Sequence, residues 1–369
     1  MSGYADFSIL IGPLTGAAFQ VRASFHDDVA REWVQLSTLP PRVQAALTGR
    51  VVPGRSHDTR NLDPVDDDEE PVTTAIRELG EQLYASLFPP RISELLAESL
   101  KAGGPDGPAL RICLTFDLGD DSSPLASLPW ELMRRNDQPL VLSDRTAMIR
   151  HIERRGLPRP LPFRPPLRVL LIAANPNGDL LLDRELDGIR HHLSGIAADV
   201  ELLTDVTVHE LNTRFDEQDY DIVHFMGHGE FREGSGKLLL SRDEWIDGRM
   251  LGNIMLGERR KLRVVILNAC HTGGMSNVRE QDPYAGVATA LVSAGIPAVV
   301  AMQFAVLDEA AIRFADRFYA AIAAGQSVED AVYRGRRAMI PVSPDSCEWA
   351  TPVLFLRGSG DLFRTESAK

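Results

Sequence analysis

From Leu167 onward the chain is built of short apolar runs that each break into a turn: RVLLIAA, VELLTD, DIVHFMGH, RVVILNAC, AVVAMQF and TPVLFLRG. Most lack the in–out alternation of a half-exposed strand and so predict strands covered on both faces. Between them the period becomes helical. Leu186, Ile189, Leu193 and Ile196 share one face of a helix predicted over Glu185–Ile196. VHELNTRF and RMLGNIM predict short helices and DPYAGVATALVSAG a longer one. Two long helices are expected over Asp308–Ala324 and Ser327–Ile340, with Asp308 and Ser327 as N-caps and capping-box spacing from Ser327 to Asp330. GEFREGSGKLLLS predicts a hairpin. This alternation implies an α/β fold, a mainly parallel sheet sandwiched by helices.

Residues 1–122 read differently, as a smaller N-terminal α+β region ahead of a domain spanning 123–369. FSILIG and AFQVRASF predict two strands joined by a turn around Gly12 and Pro13. Helices are expected over Thr74–Leu87 and Ile92–Leu100, and a strand over LRICLTFDL, with Cys113 as a small buried apolar side chain. Between about 48 and 71 the chain is polar and carries the run Asp66-Asp67-Asp68-Glu69-Glu70, which predicts a solvated loop. LASLPWELMRRNDQPLVLSDRTAMIRHI predicts short strands, and LPRPLPFRPP an extended linker.

Composition narrows the function classes. With 44% hydrophobic and 25% charged residues the chain can fill a substantial core, and its net charge of −13 argues against nucleic acid as a partner. Cys113, Cys270 and Cys347 are odd in number and irregularly spaced, unlike a disulfide framework. The opening MSGYADFSIL has no basic n-region, and no apolar run reaches spanning length, so neither export nor membrane contact is expected. A cytoplasmic protein with available thiols follows.

Two of the buried runs deliver reactive side chains. DIVHFMGHGE ends in His228 and RVVILNACHTGG in Cys270, and parallel sheets present functional groups at such carboxyl ends. A thiol is only a few per cent thiolate at neutral pH, and a neighbouring imidazole raises that fraction and later protonates the leaving amine. Gly227 and Gly229 flank His228, leaving room for a sharp turn and a close substrate. Backbone N–H groups of Gly229 and Cys270 are candidate oxyanion donors.

Other readings of these residues carry less. His224, four positions before His228, is more simply a satisfied core histidine than a ligand. His224, His228, Cys270 and His271 also permit zinc, but metal pairs of that spacing sit on helices and this segment reads as a strand. No metal or cofactor is expected. GSGK at Gly234–Lys237 lacks full phosphate-loop spacing, with Leu238 after the lysine. Cys347, in PDSCEW, has no acid–base partner nearby.

HFMGHGEF, NACHTGG, LPWELM, the long segment from LVSAGIPAVVAMQF to AVYRGR and the closing WATPVLFLRG resemble the CHAT domain, over roughly 125–360. CHAT proteases belong to the caspase and separase group of cysteine peptidases. The resemblance implies a caspase-like sheet, Cys270 as nucleophile, His228 as general base, and a cysteine endopeptidase acting on a protein substrate. It also implies control by an activating or sensor protein in a bacterial defence, antiviral or cell-death pathway. In that group the pocket for the residue before the scissile bond is lined from strand ends, here Asn175 and Asn268, both neutral. Gln303 and Asp308 are further pocket candidates, and Asp308 and Glu230 can contribute charge. A preference for a neutral or small residue is therefore expected. The alternative is a non-catalytic CHAT-like scaffold that binds signalling partners.

Overall fold

The structure, a computed structural model, describes residues 3–13, 15–16, 18–35, 72–102, 104, 108–117, 124–151, 163–176, 178, 182–232, 235–256, 261–268, 283–304, 306–343 and 346–363. The acidic stretch of about 48–71 and the segment with Cys270 and His271 lie outside the described residues. The chain forms two compact units, one built mainly of residues 1–151 and the other mainly of residues from 152 onward.

In the first unit, β1 (Tyr4–Ile11) and β2 (Ala18–Phe25) pair antiparallel as the sequence predicts. Their alternation buries Phe7, Ile9 and Ile11 beside Phe19, Val21 and Ala23. A third strand, β3 (Asp28–Gln35), continues the meander and was not legible, because none of its positions is fully buried and Trp33 is 59% exposed. Helices α1 (Val72–Leu87) and α2 (Pro90–Ala102) follow, each beginning two residues earlier than predicted. β4 (Ala109–Phe116) then runs parallel to β1, with Cys113 buried. The two-residue strands β5 (Arg134–Arg135) and β6 (Gln138–Pro139) are joined through Asn136 and Asp137, both at positive φ as a two-residue hairpin requires. β7 (Thr146–His151) completes the order β3-β2-β1-β4-β7.

The LPWELM motif has a structural role in this unit. Trp130 is fully buried and its indole N–H donates to the Leu125 carbonyl at 2.8 Å. Glu131 meets Arg150 of β7 through two bonds, Nη2 to Oε2 at 2.8 Å and Nε to Oε1 at 3.2 Å. The guanidinium also donates to the carbonyls of Ala126 and Leu128.

The second unit holds the alternation read from Leu167. In order come β8 (Leu167–Ala174), α3 (Leu182–Leu193), β9 (Ala198–Thr204), α4 (Val208–Glu217), β10 (Ile222–Gly227), β11 (Gly229–Arg232), β12 (Ser235–Ser241), β13 (Glu244–Asp247), α5 (Gly248–Met255) and β14 (Val264–Asn268). The chain continues through α6 (Pro283–Ala294), β15 (Ala298–Met302), α7 (Asp308–Ala323), α8 (Val328–Met339) and β16 (Pro352–Leu356). Strand order is β16-β15-β14-β10-β8-β9, all parallel except β16. The predicted hairpin is β11–β12, extended by β13 into a small antiparallel sheet.

The strands divide their side chains between two helical layers. Leu170, Ile172, Val223, Phe225, Val265 and Leu267 pack with Leu211 of α4, Leu251 of α5 and Leu291 of α6. The alternate positions, His224 and Asn268 among them, meet α3 and α7, which pack on each other. Strands covered on both faces need no polar face, which is why they read as continuous apolar runs.

Helices α3 and α7 differ at their ends from the prediction. α3 begins at Leu182 and ends at Leu193, and Ile196 closes the following turn with its N–H on the Leu193 carbonyl. Asp308 is the first residue of α7, not its cap; Leu307 holds the cap position without a side-chain bond. Asp308 and Glu309 instead place negative charge in the first turn, where the helix dipole favours it. Ser327 caps α8 as expected, accepting from the Asp330 N–H at 3.2 Å.

Candidate active site

The carboxyl edge of the second sheet carries several of the predicted site residues that lie among the described ones. Asn175 follows the last residue of β8, His228 follows the last residue of β10, Asn268 ends β14 and Gln303 follows β15. Those strands are neighbours in that spatial order, β8-β10-β14-β15. β8 connects through α3 to β9 on one side, and β10 leads to β14 on the other. Asn175 and His228 therefore flank the point where the winding reverses, the position at which open α/β sheets form their clefts.

His228 is half-buried and Gly229 likewise. The His228 carbonyl accepts the Leu239 N–H at 3.0 Å, which fixes the pairing of β12 beside it. Gly229 stands opposite Leu238 in the next pair, and antiparallel alternation turns its N–H away from that ladder. Gly227 is required for packing, not for a positive φ. A Cβ there would sit 2.8 Å from both the Ala174 carbonyl oxygen and the Phe225 ring. Gly227→Ala is therefore expected to destabilise the protein by about 1–3 kcal/mol, read as a lower urea midpoint at unchanged m.

Asn175 is half-buried; its N–H donates to Asp205 Oδ1 at 2.8 Å, and its carbonyl accepts from Gly178. Asp205, just past β9, is exposed and held at a φ of 46°. Gln303 is half-buried with its N–H on the Thr351 carbonyl, and Asp308 is half-buried at the start of α7. Asn268 differs from these. It is 2% exposed, and its Nδ2 donates to Glu185 Oε1 at 2.6 Å, so its amide faces a buried partner.

Around that contact lies a polar cluster that sequence reading missed. His224 is buried, with Nδ1 3.2 Å from the Tyr319 hydroxyl of α7 and its ring stacked on the phenol. Burial, and then the charge of Glu185, push the Tyr319 phenol well above its ordinary value. Nε2 lies 3.3 Å from Glu185 Oε1, within ion-pair distance but off the line of a hydrogen bond. The core-histidine reading of His224 agrees with this setting. Glu185 shares the apolar stripe of α3 with Leu182, Leu186 and Ile189. A carboxylate on such a stripe was the available signal, hidden because the predicted helix began at that residue.

Among the described residues no group of three His, Cys, Asp or Glu could hold a metal ion, and no helix is long and apolar enough to cross a membrane. The CHAT domain family model matches residues 77–357. The chain belongs to the CHAT-domain family. Among curated proteins no sequence matches this CHAT protein. Solved structures share its fold. The Saccharomyces cerevisiae separase–securin complex superposes with a TM-score of 0.52 at 10% identity, over 96% of this chain and 30% of that one. This CHAT protein thus spans under a third of the separase chain. The Arg-specific cysteine proteinase gingipain R matches at a TM-score of 0.46 and 14% identity, over 80% of this chain and 69% of that one. The Drosophila initiator caspase Dronc matches at 0.36 and 10%, over 54% and 80%. The caspase-like sheet expected from the motifs is the architecture observed.

Proposed function

We propose that this CHAT protein is a cysteine endopeptidase that cleaves a protein partner, with Cys270 as nucleophile and His228 as general base. The observation that supports this most directly is the parallel register of β10 and β14. Ile222 stands opposite Val264 and Met226 opposite Asn268. In sequence His228 follows Met226 by two residues and Cys270 follows Asn268 by two, so both reactive groups come just after the paired ends of these strands. The sequence thus delivers a thiol and an imidazole to adjoining strand ends.

In the proposed reaction His228 takes the thiol proton and the thiolate adds to the scissile carbonyl. The N–H groups of Gly229 and Cys270 receive the oxyanion, and the outward turn of the Gly229 N–H supports that role. The imidazolium then protonates the departing amine, leaving a thioester on Cys270. Water, deprotonated by His228, hydrolyses it and restores the thiol.

Asn175, with Gln303 and Asp308 beside it, forms the proposed pocket for the residue before the scissile bond, while Asn268, also expected there, keeps its amide on buried Glu185. Neutral amides at the strand ends favour a neutral or small side chain there. Control by an activating or sensor protein, within a bacterial defence or cell-death pathway in the cytoplasm, completes the proposal. That separase was solved in complex with securin supports a protein partner in this reading.

Two measurements test the reading. A panel of fluorogenic peptides should be cut best after neutral residues, and best cleavage after Arg overturns the pocket. Iodoacetamide at pH 8 should modify Cys270 first and abolish cleavage. Cys113 is buried, and burial pushes the Cys347 thiol up to about 12, so both should stay unmodified in peptide mapping. Cleavage that survives full modification of Cys270 rules out the dyad, and no cleavage by either form leaves the scaffold alternative.

A further inference from the structure

We propose that the free edge of β3 docks an extended, carboxylate-bearing segment of a partner protein, which joins the first unit's sheet as an additional strand. The proposal is independent of the protease reading. β3 ends the strand order, and among the described residues no strand pairs with its outer side. Free edges are usually kept short, bent by a bulge or interrupted by proline. β3 instead pairs with β2 over eight consecutive residues with no shift in register.

The backbone of β3 is turned for such pairing. The Gln20 carbonyl of β2 accepts the Gly12 N–H at 2.8 Å, so the main chain of Gln20 faces the β1 side. Gln20 stands opposite Trp33, and antiparallel alternation then turns the N–H and C=O groups of Val29, Arg31 and Trp33 away from β2. Glu32, between them, reaches Arg91 of α2 at 3.8 Å, which sets the side chains of Val29, Arg31 and Trp33 on the other face of the sheet. All three are exposed there.

The exposed row specifies the occupant. Arg31 stands directly opposite Arg22, and neither has an ion-pair partner among the described residues. Like charges so placed repel, and a carboxylate opposite Arg31 in an added strand neutralises them. Val29 and Trp33, two positions to either side, favour apolar neighbours. The complement is a carboxylate flanked by apolar residues at alternate positions, a pattern that reads the same in both strand directions. On the opposite face a cavity of about 540 Å³ opens between β3 and α2, lined by Ala30, Arg91, Leu95 and Glu98, with room for the intervening side chains. Main-chain pairing selects a polypeptide over nucleic acid, in keeping with the net charge of −13. A second copy of β3 is a poorer match. Setting Val29 against Trp33 of that copy brings Arg31 onto Arg31 and lines up four arginines.

The probe is the fluorescein-labelled peptide Thr-Val-Thr-Glu-Thr-Val-Thr, with a counterpart carrying Lys in place of Glu, titrated with the full chain at low salt and read by anisotropy. Exchanging an attractive for a repulsive cross-strand pair changes affinity by about tenfold. Wild type is expected to bind the Glu peptide about tenfold more tightly than the Lys peptide, and Arg31→Glu to reverse that order. Arg31→Glu also sets a carboxylate opposite Arg22, so it should melt at or above the wild-type temperature. Methylating the backbone nitrogens of the Val and Glu residues, or instead those of the Thr residues, should abolish binding in one set and spare it in the other, because alternate N–H groups of a strand point to opposite sides. Binding indifferent to where the methyl groups sit, an order of affinities unchanged in Arg31→Glu, or no binding of either peptide at about 1 mM overturns the proposal. A wild-type dimer that dissociates in Trp33→Ala overturns it too, by giving the edge to a second copy.

Discussion

Cys270→Ala is expected to reduce peptide cleavage to background, and His228→Ala to lower kcat/KM by about 10²–10⁴-fold, the usual contribution of a positioned general base. The two losses differ in their pH dependence. Without its nucleophile the enzyme has nothing that higher pH can activate. Without its base the thiol still ionises, with a free value of about 8.5, so residual activity of His228→Ala should climb through that range. With the thiol activated by the imidazole as proposed, wild type is expected to be near its plateau already at neutral pH. KM should change little in His228→Ala, because the imidazole does not need to hold the substrate's flanking residues. Because members of a catalytic unit are not additive, the double variant should match Cys270→Ala. Equal processing of a protein partner by wild type and Cys270→Ala would instead rule out the dyad.

The reading of the sheet from sequence worked where burial was two-sided. β8, β10, β14, β15 and β16 present apolar residues on both faces, so their extents and the turns after them were visible as uninterrupted runs. β3 and β13 were not, since a strand with half-exposed positions has no such run. Helix ends followed local chemistry only in part. Ser327 caps α8 through its hydroxyl, whereas α7 begins without a side-chain cap and Asp308 moves one residue inward. Thr207 and Glu210 form a full capping box at α4 that the sequence reading did not single out.

The site divides in the same way. His228, Asn175 and Gln303 could be placed because strand ends are marked by the break after an apolar run, and the structure sets each just past its strand. Glu185 and Tyr319 could not, because their importance lies in meeting across four elements. Nothing local distinguishes Tyr319 from any other aromatic residue on an apolar helix face. Asn268 illustrates the limit most directly. Sequence reading gives its neutrality and its strand end, but only packing shows that its amide is turned toward a carboxylate.

Glu131→Ala is expected to cost about 3–5 kcal/mol of stability, the range found when one partner of a buried ion pair is removed. Arg150 and Glu131 have side chains only 6% and 2% exposed, so water cannot replace the missing carboxylate. The guanidinium keeps its contacts to the Ala126 and Leu128 carbonyls, but these are dipoles and do not neutralise its charge. Removing both charges is a different experiment. Glu131→Leu with Arg150→Met leaves no uncompensated ion and should cost clearly less than Glu131→Ala alone, since apolar replacements of buried pairs are often close to neutral. Urea unfolding of the three proteins measures the difference, and a double variant less stable than Glu131→Ala would show that the pair contributes more than mutual compensation. The glutamate of LPWELM is thus assigned to holding β7 against the turns around Trp130, and its variants should lose activity only in proportion to the folded fraction.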